Sequence, residues 1–278
     1  MMRSYWLLAI TVLYGCQPSA EAAAVCPPVT RVGVSDLGYS SYRENGRIVG
    51  IGVDVINEMA RRSGCKFEFQ WFPRQRLFVE LQAGHIDMAM GAFRTPERDV
   101  YARHLPYAYL QYDLILREAP GQSYASLSDF VERGTGRLNI TRGLVYDSPI
   151  ETQLALLAAA GRLEVVNDFE TVFGKLEMGR ADGTVATAAI YGKYMKKGQL
   201  KRSVVLPISE ATPRFTGIYV SKSTVPAHTR EFYASVLKGM VAEQMVLGFY
   251  SRYIDEATIK RTFKPGVGPL LNSLSTPE

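Results

Sequence analysis

Histidine and cysteine are scarce in this 278-residue chain, which contains three of each. His85, His104 and His228 are far apart in the sequence. A zinc site needs about four ligands brought together at characteristic spacings, and a hydrolytic triad needs a histidine between a nucleophile and a carboxylate. Neither pattern is present, so we expect no metal site and no hydrolase of this kind.

The sequence also lacks a long apolar run and a basic stripe. After residue 24, no run approaches the ~20 apolar residues of a membrane-spanning helix. The 32 basic and 27 acidic residues leave a net charge of +5, and basic residues fall in dispersed pairs such as Arg61-Arg62 and Lys196-Lys197. Such pairs are typical of solvated faces. Nucleic-acid binding favours a continuous basic patch, so we expect no nucleic-acid partner.

Residues 1–24 have the pattern of a secretory signal peptide. Arg3 supplies the positive charge, and Tyr5–Gly15 is an apolar stretch too short to span a bilayer. Small residues before Ala23 and Val25 offer two cleavage sites, so we expect the mature chain to begin at one of these residues. The sequence therefore predicts export to the periplasm.

One of the three cysteines lies in the predicted signal peptide, and the other two lie in the mature chain. Leu13–Cys16 resembles a lipobox, so a lipid anchor at Cys16 is an alternative to simple cleavage. Cys26 and Cys65 are an even pair in an exported chain, which favours a disulfide. Each precedes a predicted strand, and the starts of two parallel neighbouring strands are close enough for such a bond.

The first part of the mature chain alternates strands and helices. Thr30–Ser35 predicts a strand, Val53–Ser63 an amphipathic helix and Lys66–Phe72 a second strand. Arg76–Ala83 predicts a short helix and Ile86–Gly91 a third strand. Short connections between such elements indicate a parallel sheet with right-handed crossovers, and ligands bind at the carboxyl ends of such strands.

The second part of the chain repeats this alternation, which predicts two α/β lobes. We predict Tyr112–Arg117 as the first linker and Ala211–Phe215 as the return linker. The first lobe would comprise 25–116 and 214–256, the second 119–210, and an irregular tail 257–278. Two lobes joined by two crossing strands form a clamshell, with a cleft where the loops of both lobes meet.

The stretch Gly91–Tyr109 contains the strongest candidate binding site. Thr95 can cap a helix that starts at Pro96, which leaves unpaired backbone N–H groups beside the guanidinium of Arg98. Such N–H groups and a bidentate arginine together can hold a small carboxylate or phosphate. Alternatively, Arg98 is only a solvated residue at a helix start.

Four segments resemble the family 3 periplasmic solute-binding proteins, the polar amino-acid receptors of bacterial ABC importers. They are Gly50–Met59 (GIGVDVINEM), Leu81–Met90 (LQAGHIDMAM), Thr95–Arg98 (TPER) and Leu105–Tyr107 (LPY). The resemblance implies a two-lobe α/β clamshell of the periplasmic-binding-protein type with two linker strands (type II). It also implies no cofactor, no chemistry, and delivery of one small solute to a membrane permease. We expect a monomer.

The family's binding residues match this sequence in part. The arginine that binds the ligand α-carboxylate falls on Arg98. The aspartate and the aromatic residue of the first loop fall on Asp36 and Tyr39. Tyr42 is a further aromatic candidate, and we expect one of the two tyrosines in the cleft, with the other packing the lobe. Asp36 could instead cap its own loop.

Other family positions differ in this sequence. A stacking phenylalanine falls on Arg74, and a hydroxyl residue falls on Phe93. The aspartate that binds the ligand α-ammonium falls near Thr187, which has no acidic neighbour. A buried ammonium without a counter-charge is costly. The sequence therefore predicts an anionic or aromatic-bearing solute. Arg142 and Tyr146, beside the second-lobe loop, are weaker candidates for contact with it.

Two other functions are compatible with this fold. A periplasmic dehydratase-like enzyme depends on a carboxylate in the second-lobe cleft, but Thr184–Ile190 (TVATAAI) contains none. Asp168 or Glu170 would have to reach the cleft instead. A solute sensor would act through a separate partner. We expect a binding receptor and not an enzyme.

Overall fold

The computed structural model of the protein describes residues 25–119, 123–196, 202–208 and 213–277. The predicted signal peptide and the predicted lipid anchor at Cys16 lie outside these residues. Among the helices of the described ranges, none is both long enough and apolar enough to cross a membrane.

Strands and helices alternate along most of the chain. The strands are β1 (Thr30–Val34), β2 (Tyr42–Glu44), β3 (Arg47–Val49), β4 (Phe67–Trp71), β5 (Met88–Phe93), β6 (Ala102–Leu110), β7 (Tyr112–Arg117), β8 (Leu138–Thr141), β9 (Leu163–Val166), β10 (Gly183–Thr187), β11 (Ser203–Pro207) and β12 (Arg214–Ser221). The helices are α1 (Ile51–Ser63), α2 (Arg74–Gln82), α3 (Pro96–Asp99), α4 (Leu127–Arg133), α5 (Ser148–Ala159), α6 (Phe169–Glu177), α7 (Ala188–Lys196), α8 (Ala227–Ala242), α9 (Met245–Tyr250), α10 (Glu256–Thr262) and α11 (Gly268–Ser275).

The first lobe is built on a five-stranded sheet with the order β4-β1-β5-β12-β6. β1 is parallel to β4 and β5, which confirms the parallel sheet predicted from the strand–helix–strand pattern. β12 pairs antiparallel with β5 and β6, so the sheet as a whole is mixed. α1 buries Val55, Ile56 and Met59 in the core of this lobe, and Gly64 ends the helix in the left-handed conformation.

The second lobe has its own five-stranded sheet, with the order β11-β7-β10-β8-β9. β7 is a central strand of this sheet and pairs antiparallel with β10 and β11. The prediction of Tyr112–Arg117 as the first linker between the lobes is therefore wrong, because this segment is a strand of the second sheet and buries Leu114 and Ile115 in the second lobe. The chain crosses from the first sheet to the second at Gln111, and it returns between β11 of the second sheet and β12 of the first.

The predicted disulfide between Cys26 and Cys65 is confirmed, with 5.4 Å between the two Cα atoms. It joins the chain just before β1 to the chain just before β4, and Thr30 is the register partner of Phe67 at the start of these parallel strands. The bond closes a separation of 39 residues. A closed loop of this length reduces the entropy of the unfolded chain by an amount equivalent to about 4 kcal/mol.

The C-terminal segment is helical, so the prediction of an irregular tail over 257–278 is wrong. α10 and α11 occupy most of it, and Leu270 and Leu274 are buried in the core of the first lobe. The side-chain hydroxyl of Tyr109 donates a hydrogen bond of 2.8 Å to the carbonyl of Gly266 between the two helices. This segment therefore belongs to the first lobe.

A buried histidine in β6 predicts loss of stability in acid. His104 is 9% exposed, its Nε2 lies 2.9 Å from the carbonyl of Ala92, and burial lowers its pKa to about 4. Between pH ~6.5 and ~4, the unfolded chain binds a proton that the folded chain does not, so the free energy of unfolding falls by roughly 3 kcal/mol as pH falls. Urea titrations at pH 7 and pH 4.5 measure this loss.

The matched variants are His104→Gln and His228→Gln. Glutamine can donate to the Ala92 carbonyl without titrating, so we expect His104→Gln to reduce the difference between the two pH values. His228 is exposed, so His228→Gln should leave the difference as in the wild type. An unchanged pH dependence in His104→Gln would show that another group causes the loss.

Candidate functional site

A small cavity lies where the two lobes face each other. Its walls come from the loops at the strand ends of both lobes and from the crossing between β6 and β7. The lining residues are Leu37, Ser40, Arg74, Gly91, Phe93, Arg98, Leu110, Tyr112, Leu144, Val145, Thr187, Ala189 and Ile190. The structure therefore brings four of the predicted site residues to one cavity: Arg74, Phe93, Arg98 and Thr187.

Arg98 is positioned by the one-turn helix α3. The backbone N–H of Arg98 donates to the Thr95 hydroxyl at 3.4 Å, which confirms Thr95 as the N-cap, and Pro96 occupies the first turn. The guanidinium Nη1 donates to the carbonyl of Phe93 at 3.3 Å. Because α3 has only four residues, its dipole is small, and the charge at this edge of the cavity comes from the side chain.

Arg74 is the first residue of α2, and its guanidinium is the second positive charge at the cavity. Nη1 and Nη2 donate to the carbonyls of Met90 and Gly91 at 3.2 and 2.8 Å, whereas the buried Nε has no partner within the described chain. Burial, and then the nearby charge of Arg98, lower the pKa of Arg74 to about 10. The guanidinium is still charged at neutral pH, so the folded protein keeps a positive charge at a place where burial and the charge of Arg98 both disfavour it.

No acidic side chain lines the cavity within the described residues. The ion pairs of the described chain include neither Arg74 nor Arg98, and burial lowers the pKa of Arg98 as well. Two buried or half-buried guanidinium groups without a carboxylate are costly in a folded protein. An anion placed between the lobes would offset that cost.

Asp36 does not line this cavity. Its Oδ1 accepts a hydrogen bond of 3.0 Å from the backbone N–H of Gly38 and lies 3.7 Å from Nζ of Lys193 in the second lobe. Burial raises the pKa of Asp36, and the charge of Lys193 opposes that shift. The carboxylate therefore caps its own loop, as the alternative interpretation of the sequence predicts, and also contacts a cation of the other lobe.

The tyrosines of the first loop also lie outside the cavity lining. The rings of Tyr39 and Tyr42 are 5.9 Å apart, and Tyr39 packs against Tyr253 at 5.2 Å. Both tyrosines belong to the core of the first lobe, and the backbone N–H of Tyr39 donates to the carbonyl of Ala189 in the second lobe at 2.6 Å. Contact of either ring with a solute remains a prediction.

The two second-lobe candidates have different environments. Arg142 is exposed, and its backbone N–H donates to the carbonyl of Val166 at 2.8 Å. Tyr146 is buried, and its ring lies 4.8 Å from that of Tyr112. Tyr146 therefore supports the cavity wall from behind, and neither residue is part of the lining.

Sequence reasoning missed most of the apolar wall. Tyr112 and Leu110 flank the crossing at Gln111, which the sequence interpretation placed several residues too late. Ala189 and Ile190 lie in the first turn of α7, which begins at Ala188 directly after Thr187. Their position directly after the end of a strand could have identified them as cleft residues, because loops at strand ends form the cleft in this type of sheet.

The lobes touch closely around the cavity. A Cβ on Gly38 would lie 2.4 Å from the carbonyl O of Ala189, and one on Gly143 would lie 3.1 Å from the backbone N of Gln75. The space accessible to a water-sized sphere is about 30 Å³, enough for roughly two waters. A solute the size of an amino acid therefore enters only if the lobes separate or side chains move.

Comparison with known proteins gives consistent results. A curated relative from Neisseria gonorrhoeae, described as a probable histidine-binding protein, is 23% identical over 77% of this chain and 80% of that protein. A solved structure of an ancestral arginine-binding protein bound to arginine superposes with a TM-score of 0.69, at 21% identity, over 82% of this chain and 99% of that one. AncCDT-1, an ancestral amino acid-binding protein described as a precursor of cyclohexadienyl dehydratase, gives a TM-score of 0.66 at 20% identity, over 82% and 96% of the two chains.

The fold of this chain is thus the two-lobe fold of periplasmic binding proteins, as predicted. The profile of the family described as bacterial extracellular solute-binding proteins, family 3, matches residues 31–245. This match covers most of the chain. The protein is therefore a member of the family 3 bacterial extracellular solute-binding proteins.

Proposed function

We propose that the protein captures a small carboxylate-bearing solute between its lobes and delivers it to the permease of an ABC importer. The observation that carries this proposal is the pair of guanidinium groups at the cavity, Arg74 and Arg98, with no acidic side chain in the described lining. Arginine binds carboxylates through two parallel hydrogen bonds, and such bonds are strongest where water is excluded.

The lining favours a net negative solute over a zwitterion. The α-ammonium of an amino acid would face the apolar side chains of Leu144, Val145 and Ile190 or the hydroxyl of Thr187. Burying an ammonium without a counter-charge costs several kcal/mol, and for this reason such groups are rare in protein interiors. A dicarboxylate or keto acid with a short apolar body would not incur that cost.

The proposed mechanism is capture by closure. The solute would dock first on Arg98 and Arg74 in the first lobe, and the second lobe would then rotate about its two connections to the first, at Gln111 and between β11 and β12. Thr187, Ala189 and Ile190 line the cavity from the second lobe. They would contact the solute only when the lobes meet, and these contacts would favour the closed form. The contacts between Tyr39 and Ala189 would form in the same step.

The setting of this function is also a proposal. Export through residues 1–24 would place a monomeric receptor in the periplasm, with a membrane permease as its partner. The name of the relative from Neisseria gonorrhoeae makes an amino acid such as histidine the competing solute. A second candidate function is that of a solute sensor, which would use the same binding site and act through a separate signalling partner.

Calorimetry with the mature chain tests the class of solute. The panel comprises succinate, 2-oxoglutarate and pyruvate as anions, glutamate as an anionic amino acid, and glutamine, histidine and arginine as neutral or cationic ones. We expect one of the anions to bind at least about tenfold more tightly than any neutral or cationic amino acid, a difference of ~1.4 kcal/mol. Tight binding of glutamine or arginine would contradict the anionic class and leave the receptor function standing.

We further propose that the protein binds its solute without transforming it. The likeness to AncCDT-1 makes a dehydratase the specific alternative, but such an enzyme depends on an acidic group at the reacting solute. The described lining contains no such group. Incubation of the pure chain with prephenate, followed by aromatic absorbance, should show no product above the buffer control. Formation of an aromatic product would support the enzyme.

A further inference from the structure

Phe78 is a residue of α2 that contacts both cavity arginines but is not part of the cavity lining. The Cζ atom of Arg98 lies over the Phe78 ring, 3.5 Å from its centroid, and the Cζ of Arg74 lies over the same ring at 5.0 Å. A single aromatic side chain therefore links the two positive charges of the site.

The surroundings of Phe78 explain why the two guanidinium groups need such a partner. Like charges repel, and within the described residues neither Arg74 nor Arg98 has a carboxylate partner. Arg74 donates to the carbonyls of Met90 and Gly91, and Arg98 donates to that of Phe93. The face of an aromatic ring is negative and attracts a cation within about 6 Å, more strongly where water is excluded. The ring thus offers attraction where the described chain offers no carboxylate.

The ring itself is fixed by the loop that carries Arg98. Phe78 packs edge-to-face on Tyr219, with ring centroids 6.3 Å apart and an interplanar angle of 89°. The hydroxyl of Tyr219 accepts a hydrogen bond from the backbone N–H of Thr95 at 2.7 Å and lies 3.1 Å from Oδ1 of Asp99. The N-cap of α3 and the Phe78 ring are therefore held by the same tyrosine.

We propose that Phe78 is a positioning residue of the anion site, which holds Arg74 and Arg98 side by side at the cavity through its ring face without touching the solute. The inference rests on the proposed function, because the site that Phe78 organises is the one assigned to the solute. A cation held in advance loses less entropy when the anion binds, so the ring contributes to affinity through the arginines.

Substitutions at Phe78 separate the ring face from the bulk of the side chain. Leucine keeps an apolar side chain on α2 but removes the π face, whereas tyrosine keeps the face. We expect Phe78→Leu to weaken binding of the tightest anion in the panel by about tenfold or more, since two partly desolvated cation–π contacts are lost. Phe78→Tyr should bind within about twofold of the wild type by the same reasoning. The control is Val79→Ala, at the exposed neighbouring position on α2, which should leave affinity unchanged.

A second readout needs no solute. In NMR spectra of arginine-labelled chain, stacking on Phe78 should give Arg98 a side-chain Nε–H resonance that is displaced by the ring current and slow to exchange. Phe78→Leu should remove that displacement, and Phe78→Tyr should keep it. Chemical denaturation of each variant shows whether it is folded.

The outcomes distinguish this inference from the proposed function. If the wild type binds no anion of the panel, the anionic class of the proposed solute fails, and the NMR comparison alone decides whether Phe78 orders the arginines. If the wild type binds an anion but Phe78→Leu binds it equally well, the positioning role is overturned while the receptor stands. Equal losses in Phe78→Leu and Phe78→Tyr would also overturn it, because the π face would then not be the cause.

Discussion

Replacing Arg98 with methionine is expected to weaken binding of an anionic solute by about 100-fold or more, a loss of ~3 kcal/mol. The variant removes the charged fork that would bind a carboxylate and leaves the carboxylate of the solute buried beside an apolar side chain. Methionine retains an apolar chain that can pack on Phe78, where the guanidinium now lies 3.5 Å from the ring centroid.

The fold should tolerate this change. Burial lowers the pKa of Arg98, which means that the folded chain already bears a cost for its charge. Removing the charge therefore should not lower the free energy of unfolding, and a small increase is expected. Calorimetry with the tightest anion of the panel gives the affinity, and urea titration gives the stability.

Two further variants sharpen this test. Arg98→Lys keeps the charge but loses the planar fork, so its affinity should fall between those of the wild type and Arg98→Met. Arg94→Met removes a neighbouring arginine that is exposed and paired with Asp99 at 2.7 Å, and it should bind as the wild type does. If Arg98→Met binds normally and Arg74→Met does not, the docking point lies on Arg74 instead.

The sequence predicted best those features that depend on residues near one another. α1 follows from its apolar spacing and from Gly64, and the β1–β4 pairing follows from short connections through that helix. The disulfide between Cys26 and Cys65 depends on that pairing. Thr95 and Pro96 likewise defined the start of α3 and the place of Arg98 beside the cavity. In each case the determining signal lies within a few residues or one crossover.

Features that depend on distant partners could not be predicted in this way. β7 is a strand because β10 and β11 pair with it, and both lie far along the chain, so Tyr112–Arg117 carries no local sign of the lobe it joins. The apolar residues Leu270 and Leu274 do have helical spacing, but the prolines and glycines around them indicated a loop. Their burial against the first lobe is a tertiary effect that local propensity does not include.

The most consequential long-range feature is an ion pair that joins the two lobes. Asp113 lies on β7 of the second sheet, and its side chain is 1% exposed. Arg261 lies on α10, whose neighbours Ile259 and Phe263 pack on the core of the first lobe. Nη1 and Nη2 of Arg261 donate to the two carboxylate oxygens of Asp113 at 2.6 and 2.8 Å.

A second residue of the second lobe also contacts the Asp113 carboxylate. The hydroxyl of Tyr191, on α7, donates to Oδ2 of Asp113 at 2.8 Å. The first turn of α7 contains Ala189 and Ile190, which line the cavity. The ion pair therefore connects the C-terminal segment of the chain to the helix that forms one wall of the site.

Arg261→Met is expected to lower the free energy of unfolding by about 3 kcal/mol, because it leaves the buried carboxylate of Asp113 without its cation. Lys260→Met is the matched control: its side chain is 75% exposed and pairs with Glu256 on the surface, so its loss should change stability by less than about 0.5 kcal/mol. The double variant Asp113→Asn with Arg261→Met should recover part of the loss, since asparagine still accepts the Tyr191 hydroxyl and carries no charge. Urea titrations of the four chains measure these differences.

Two outcomes would contradict this expectation. Equal stability of Arg261→Met and Lys260→Met would show that the pair does not hold the lobes together. A double variant no more stable than Arg261→Met would show that the loss of stability comes from packing and not from the unpaired carboxylate.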